Sequence, residues 1–374
     1  MKTGLYIHIP FCPYKCHYCD FLAFSNVDFL QRKYVSYLLK EISLYKGHDL
    51  ELDSIFIGGG TPSHLEVGLM REIMAAVRET FVVDEDAEIS IEMNPNSLDE
   101  EKIRTYLELG IKRFSLGVQS FDDEILKILG RGHDKAAVLK DIGDLRRLGA
   151  KNISVDMMLA NPKQDMAVLD KDIEEVLALG VDHISYYTLI LEAKTMFEVL
   201  LERGEIDLFD DDLERDMYHR VVNRLAQAGY VRYETSNFAK PGFESRHNKK
   251  YWALEDYIGL GLGAASNIGL KRTKNFTKFE DYYKALEAGV LPVEETEDLS
   301  LEDREKEFII MNMRMSDGFL IKDINDRFGI DFLEKYKDVV GKNVKYGLVK
   351  VEDGRFMFTD KGMDLQNAFF VEVI

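Results

Sequence analysis

Six short β-rich runs, at residues 5–9, 54–57, 88–92, 113–118, 152–157 and 183–188, alternate with longer segments of helical apolar spacing at 28–45, 65–81, 100–109, 135–148 and 167–179. Three of the helical segments end in Leu109-Gly110, Leu148-Gly149 and Leu179-Gly180. Glycine there suits a left-handed cap that stops a helix before a strand. Such alternation dictates an α/β fold with a parallel sheet and right-handed crossovers. A partial (β/α)6 TIM-like barrel and a doubly wound sheet both satisfy it, and in either the loops at the carboxyl ends of the strands carry the chemistry.

Past residue 205 the pattern changes. Residues 211–228 read as a helix and 233–238 as one more strand. The small-residue run from Gly259 to Ala265 reads as a turn open to close backbone approach. The acidic stretch Glu294-Glu295-Thr296-Glu297-Asp298 reads as a linker, followed by helices at 302–315, 321–328 and 332–342. A hairpin of 348–352 and 356–359 turns at Asp353-Gly354. The expected organisation is a barrel core over 1–205, a barrel extension with extra β elements over 206–293, and a small helical, winged-helix-like domain over 294–374.

The first β run leads into Cys12-x3-Cys16-x2-Cys19, and these are the only three cysteines in 374 residues. So tight a cluster suits metal ligation in a reducing compartment rather than a disulfide framework. A [4Fe–4S] cubane normally takes four thiolates. Three from one loop leave one iron for a small chelator with an amine and a carboxylate, such as the methionine end of S-adenosylmethionine (SAM). The alternative is zinc held by the three thiolates with His8 or His17. Partner classes are narrowed by charge: 48 basic against 67 acidic residues give −19. That field repels nucleic acid and disfavours anionic lipid, leaving peripheral membrane contact to a local basic patch. No stretch approaches the ~20 apolar residues of a bilayer span, and the start lacks a signal-peptide pattern, so a cytoplasmic location is expected.

The first strand and its loop, Tyr6-Ile7-His8-Ile9-Pro10-Phe11-Cys12 onward, resemble the opening of the radical SAM family of oxygen-independent coproporphyrinogen III dehydrogenases and their heme-chaperone relatives, HemW. Further motifs follow in family order: Gly58-Gly59-Gly60-Thr61-Pro62, Glu92-Met93-Asn94-Pro95, Gly117-Val118-Gln119-Ser120-Phe121, Arg131-Gly132-His133, Asp156-Met157-Met158, Tyr233-Glu234-Thr235-Ser236-Asn237-Phe238 and His247-Asn248-x2-Tyr251-Trp252. The resemblance implies a cluster on Cys12, Cys16 and Cys19, from which an electron passes into the sulfonium and releases a 5′-deoxyadenosyl radical. It implies SAM contacts from Tyr6, Tyr18, Gly59, Gly60, Thr61, Glu92, Gln119, Arg131 and Asp156, with Gln119 and Asp156 at strand ends. Phe11, Tyr14, Tyr18 and Phe21 would shield the cluster. The family's Gly-Leu-Pro-Gly-Gln loop after the Asp156 strand is here Ala160-Asn161-Pro162-Lys163-Gln164, so two glycines are replaced beside the expected SAM pocket.

Two features separate the branches. The dehydrogenases carry an N-terminal extension and usually a further cysteine two positions after the third. Here the first strand starts within a few residues of Met1, and Asp20-Phe21 follows Cys19. Both point to the heme-chaperone branch, which implies a heme or porphyrin ligand, apo-hemoprotein recipients and an electron donor such as a flavodoxin-type protein. In that branch His247 would be an axial ligand to heme iron, with Tyr251 and Trp252 against the porphyrin. The alternative is oxidative decarboxylation of coproporphyrinogen propionates to vinyl groups.

Overall fold

A computed structural model describes residues 2–207 and 210–373. The six β runs become strands β1 (Lys2–Ile9), β2 (Glu51–Gly59), β3 (Val82–Met93), β4 (Arg113–Gln119), β5 (Asn152–Leu159) and β6 (His183–Thr188). They pair in parallel in sequence order, β1 to β6. Sequential order is that of a partial barrel and excludes the doubly wound alternative, whose order reverses at a switch point. Among the described residues the sheet stays open: β1 pairs on its outer side with Tyr257–Leu260, and β6 with Asn237–Ala239, in a sheet of twelve described strands.

Strand alternation divides each strand between two environments. Leu5, Ile7 and Ile9, Ile55 and Ile57, Ile89 and Ile91, and Phe114, Leu116 and Val118 are buried with the apolar faces of the surrounding helices. The intervening residues, among them Tyr6, Phe56, Glu92, Ser115 and Asp156, point into the barrel. After the strands' carboxyl ends, Asp99, Asp122, Asp134 and Asp165 each cap a helix by accepting backbone N–H groups, each cap being worth ~1 kcal/mol. Gly110, Gly149 and Gly180 have φ of 77°, 103° and 61°, the left-handed caps expected.

Three expectations from the sequence are corrected. The acidic 294–298 stretch is no linker: Val293–Asp298 is the outermost strand of the large sheet, antiparallel to Lys271–Asn275. Asp298 faces Lys271, Glu297 faces Arg272 and Glu295 faces Lys274, so its charge is matched across the strands. The large sheet therefore continues past residue 293. The single strand expected at 233–238 is a hairpin of Val231–Arg232 and Asn237–Ala239, broken by the buried Glu234 carboxylate accepting the Ser236 N–H. The helix expected at 332–342 is two, Phe332–Lys335 and Lys337–Lys345.

The C-terminal part is winged-helix-like. The hairpin Val349–Glu352 and Arg355–Phe358 gains a third strand, Phe319–Leu320, over an aromatic core of Phe308, Phe319, Phe332, Phe356 and Phe369. It is anchored to the barrel by Arg304, 1 % exposed, which donates to Asn267 Oδ1 at 3.0 Å and to Leu254 O at 3.4 Å. Among the described residues no helix is long and apolar enough to cross a membrane.

Candidate functional site

At the carboxyl ends of the strands a pocket is lined by Cys12, Cys16, Cys19, Tyr14, Tyr18, Phe21, Gly59, Gly60, Glu92, Asn94, Gly117, Gln119, Arg131 and Asp156, among others. The cysteine loop is held in place by His17, whose backbone N–H donates to Leu129 O and whose Nδ1 bonds Ile128 O at 2.8 Å. Thr61 Oγ1 donates to Cys12 Sγ at 3.4 Å and Arg131 Nη1 to Cys16 Sγ at 3.3 Å. Asn94 joins these two supports, giving its Nδ2 to Thr61 Oγ1 and accepting Arg131 Nη2, both at 2.8 Å. Arg131 Nη2 also donates to Gly117 O.

The three thiols fit a cubane better than a lone zinc ion. His8 is spent at both ring nitrogens, on Tyr6 Oη at 2.9 Å and Leu22 O at 2.8 Å. The His17 ring packs on Gly130 and Phe197. Among the described residues no three His, Cys, Asp or Glu side chains converge on a single-ion site. Burial raises the Cys12 thiol and pushes that of Cys19 up to about 11, while Thr61 opposes the rise at Cys12. Loading the site therefore releases protons as the thiols become thiolates.

The remaining wall fits a zwitterionic ligand such as SAM. A Cβ on Gly60 would stand 2.7 Å from Phe11 O and 3.0 Å from Cys12 Sγ, so only glycine lets the chain pass there. Gly59, at φ 111°, donates its N–H to Glu92 Oε2 at 3.0 Å. Arg131 Nε is a buried donor without a partner among the described residues, which suits an anionic group. Burial and then the neighbouring Asp156 push the Glu92 carboxyl up to about 8, against the Gly59 hydrogen bond. Asp156 is raised by burial and held back by Ser185, Ser115, Arg113 and Arg131; Ser115 Oγ reaches it at 3.2 Å.

A carboxyl raised on folding binds a proton that the unfolded chain has released. Stability therefore falls as pH rises from the ordinary glutamate range to about 8, the Glu92 value, at roughly 1.4 kcal/mol per pH unit. Glu92→Gln is expected to lose that slope, so in urea melts its stability relative to wild type rises between pH 5.5 and 7.5. Parallel pH profiles for the two proteins would contradict the assignment.

Of the residues expected from sequence, the three cysteines, Tyr18, Gly59, Gly60, Glu92, Gln119, Arg131 and Asp156 line the pocket. Thr61 stands behind it against Cys12. Tyr6 lies deeper in the barrel, stacked on Phe56 with its hydroxyl on His8. Asp156 sits inside β5 rather than at its end. Phe11 does not shield the thiols; it is fully buried against Tyr34 and Phe279. The Ala160–Gln164 loop is not in the pocket wall, and Ala160 and Lys163 keep the left-handed φ of 57° and 66° that glycine would adopt. Sequence reasoning missed Asn94 and Ser115. Asn94 lay within a recognised motif, and Ser115 shares strand phase with Gly117 and Gln119.

His247, Tyr251 and Trp252 lie elsewhere. The helix Arg246–Trp252 plugs the opposite end of the barrel, its first N–H groups given to the Glu88 carboxylate. His247 is 0 % exposed, with Nδ1 on Ser54 Oγ and Nε2 on Tyr251 Oη, both at 2.9 Å. Neither nitrogen is open to iron, and Trp252 faces Arg314 of the C-terminal part. This corrects the expected axial role. His247→Ala is expected to leave heme absorbance unchanged and to lower stability by ~2 kcal/mol, since it takes the partner from the buried Ser54 hydroxyl and the half-buried Tyr251 hydroxyl; a lost Soret band would reinstate His247.

Residues 6–185 match the radical SAM superfamily and 299–365 the HemN C-terminal domain. The chain is 34% identical to the heme chaperone HemW of Lactococcus lactis over 368 residues, covering 98% of this chain and 96% of the relative. It is 34% identical to that of Bacillus subtilis, covering 99% and 98%, and 37% identical to that of Escherichia coli, covering 71% and 70%. Coproporphyrinogen III oxidase (HemN) from Escherichia coli, a radical SAM enzyme, has a similar structure, with a TM-score of 0.86 at 22% identity over 100% of this chain and 89% of that one. That likeness is one of fold.

Proposed function

The chain belongs to the HemW heme-chaperone family of the radical SAM superfamily, and from that membership we propose that it binds heme and delivers it to apo-hemoproteins. The observation that carries this reading is the end-to-end similarity to proteins of that name. The family implies a [4Fe–4S] cluster and SAM, which supply reductive carbon–sulfur cleavage when bound. Cys12, Cys16 and Cys19 would hold the cluster. Arg131 would take the carboxylate of SAM, its planar fork already set by Asn94 and Gly117. Glu92 and Gly59 would meet the amine, and Gln119 and Asp156 the ribose side; Tyr18 screens the thiols from water. The electron would come from a flavodoxin-type protein. The bound heme would sit outside the barrel, since the plug helix fills one mouth and the thiol loop the other.

The test is an anaerobic turnover assay with coproporphyrinogen and SAM, run beside a heme titration. Stoichiometric heme binding without formation of protoporphyrinogen is expected. Robust turnover would make the protein a dehydrogenase instead.

A further inference from the structure

The Asp172 carboxylate, on the outer helix Met166–Leu179 and 1 % exposed, is surrounded by neutral donors. Oδ1 accepts Phe121 N–H at 2.7 Å; Oδ2 accepts Ser120 Oγ at 2.8 Å and Gln164 Nε2 at 3.3 Å. Gln164 Oε1 in turn accepts the backbone N–H of Asn161 at 3.2 Å. One carboxylate thus ties the turn after β4 to the loop after β5.

Both segments hold conformations that L residues avoid. Gln119 has φ 72°, Ala160 57° and Lys163 66°. Each costs ~1–2 kcal/mol relative to an ordinary backbone and persists only where the surroundings hold it. Gln119 lines the pocket; the loop stands behind it.

We propose that Asp172 is a positioning residue of the SAM pocket: it fixes the left-handed turn that aims Gln119 at the ligand and clamps the Ala160–Gln164 loop behind that turn. The proposal rests on the SAM reading of the pocket. A carboxylate is required because two acceptor oxygens serve three donors at once. An amide or a protonated acid places a hydrogen where Gln164 Nε2 already donates. Burial pushes the Asp172 carboxyl up to about 6, opposed by Phe121 and Ser120 and reinforced by Asp122 of the adjacent helix cap. Tyr186 of β6 faces the same charge. The clamp is therefore complete at pH 7.5 and loosens as pH falls through about 6.

The experiment measures SAM affinity by equilibrium dialysis on the anaerobically reconstituted full chain at pH 5.5 and 7.5. Asp172→Asn is expected to weaken SAM about tenfold at the higher pH, with iron content and cluster absorbance unchanged. The gap should narrow at pH 5.5, where the wild-type carboxyl is itself protonated. Ser120→Ala, which removes one donor, should weaken SAM about threefold and decides the matter if Asp172→Asn does not fold. Equal affinity in wild type and variants, or a gap identical at both pH values, overturns the proposal. Wild type that binds no SAM at all overturns the reading of the pocket instead.

Discussion

Cys16→Ala, reconstituted anaerobically with iron and sulfide, is expected to stay colourless. Wild type under the same conditions should turn brown and hold about four irons per chain. The effect should be all or none for geometric reasons. The three thiols come from one short loop, and no fourth cysteine exists to replace a lost one. Cys16 is also the thiol that Arg131 addresses, so its loss frees the guanidinium from one of its three partners. Iron analysis and visible absorbance read the result; a variant with a full complement of iron would remove Cys16 from the ligand set. Folding should survive, because Cys16 is only half-buried and the loop stays fixed by the His17 contacts with Leu129 and Ile128.

Glu41→Ala is expected to cost ~4 kcal/mol of stability. Glu41 lies on helix Gln31–Leu44, fully buried, and its carboxylate accepts Gly261 N at 2.8 Å, Asn275 Nδ2 at 2.6 Å and Tyr282 Oη at 2.6 Å. These donors belong to the strands and helix that extend the sheet beyond β1. Removing their acceptor leaves the Gly261 N–H, the Tyr282 hydroxyl and one Asn275 N–H without it, while Asn275 Nδ2 keeps Gly261 O at 2.9 Å. Glu41→Gln keeps one acceptor oxygen and should lose less. Burial pushes this carboxyl up to about 7, so the deficit of Glu41→Gln should shrink as pH rises toward that value, because the unfolded wild type has released a proton that folding must take up again. Urea melts followed by circular dichroism measure both variants; an Ala variant within 1 kcal/mol of wild type (~1 is an ordinary point-mutant effect) would refute the network.

Why Glu41 escapes a reader of the sequence is instructive. On a helix with Leu38 and Ile42 inward, a glutamate reads as a solvated neighbour, and all three of its partners lie more than two hundred residues away. The alternating strands and helices were legible because their signals are local: apolar runs and terminal glycines. So was the cysteine loop, because thiol spacing constrains ligation directly. The strand Val293–Asp298 was not, since its six residues carry four acidic groups and only the cations of Lys271–Asn275 make it a strand. His247 shows a third kind of limit. Its motif was plain, but the direction of its ring depends on which face of the helix Arg246–Trp252 turns inward, and that is set by Glu88 and Ser54 from distant strands.

That acidic border strand also governs how molecules of this chain meet. The outer edge of a sheet offers unsatisfied backbone groups to any extended chain. Here four of its six side chains are carboxylates, and all but Val293 are exposed. Two copies approaching edge to edge would oppose like charges along the whole length of contact. Mutual repulsion thus guards the long border that the described residues leave unpaired on that side, and replacing the carboxylates with threonine and valine would invite the chains to zip together.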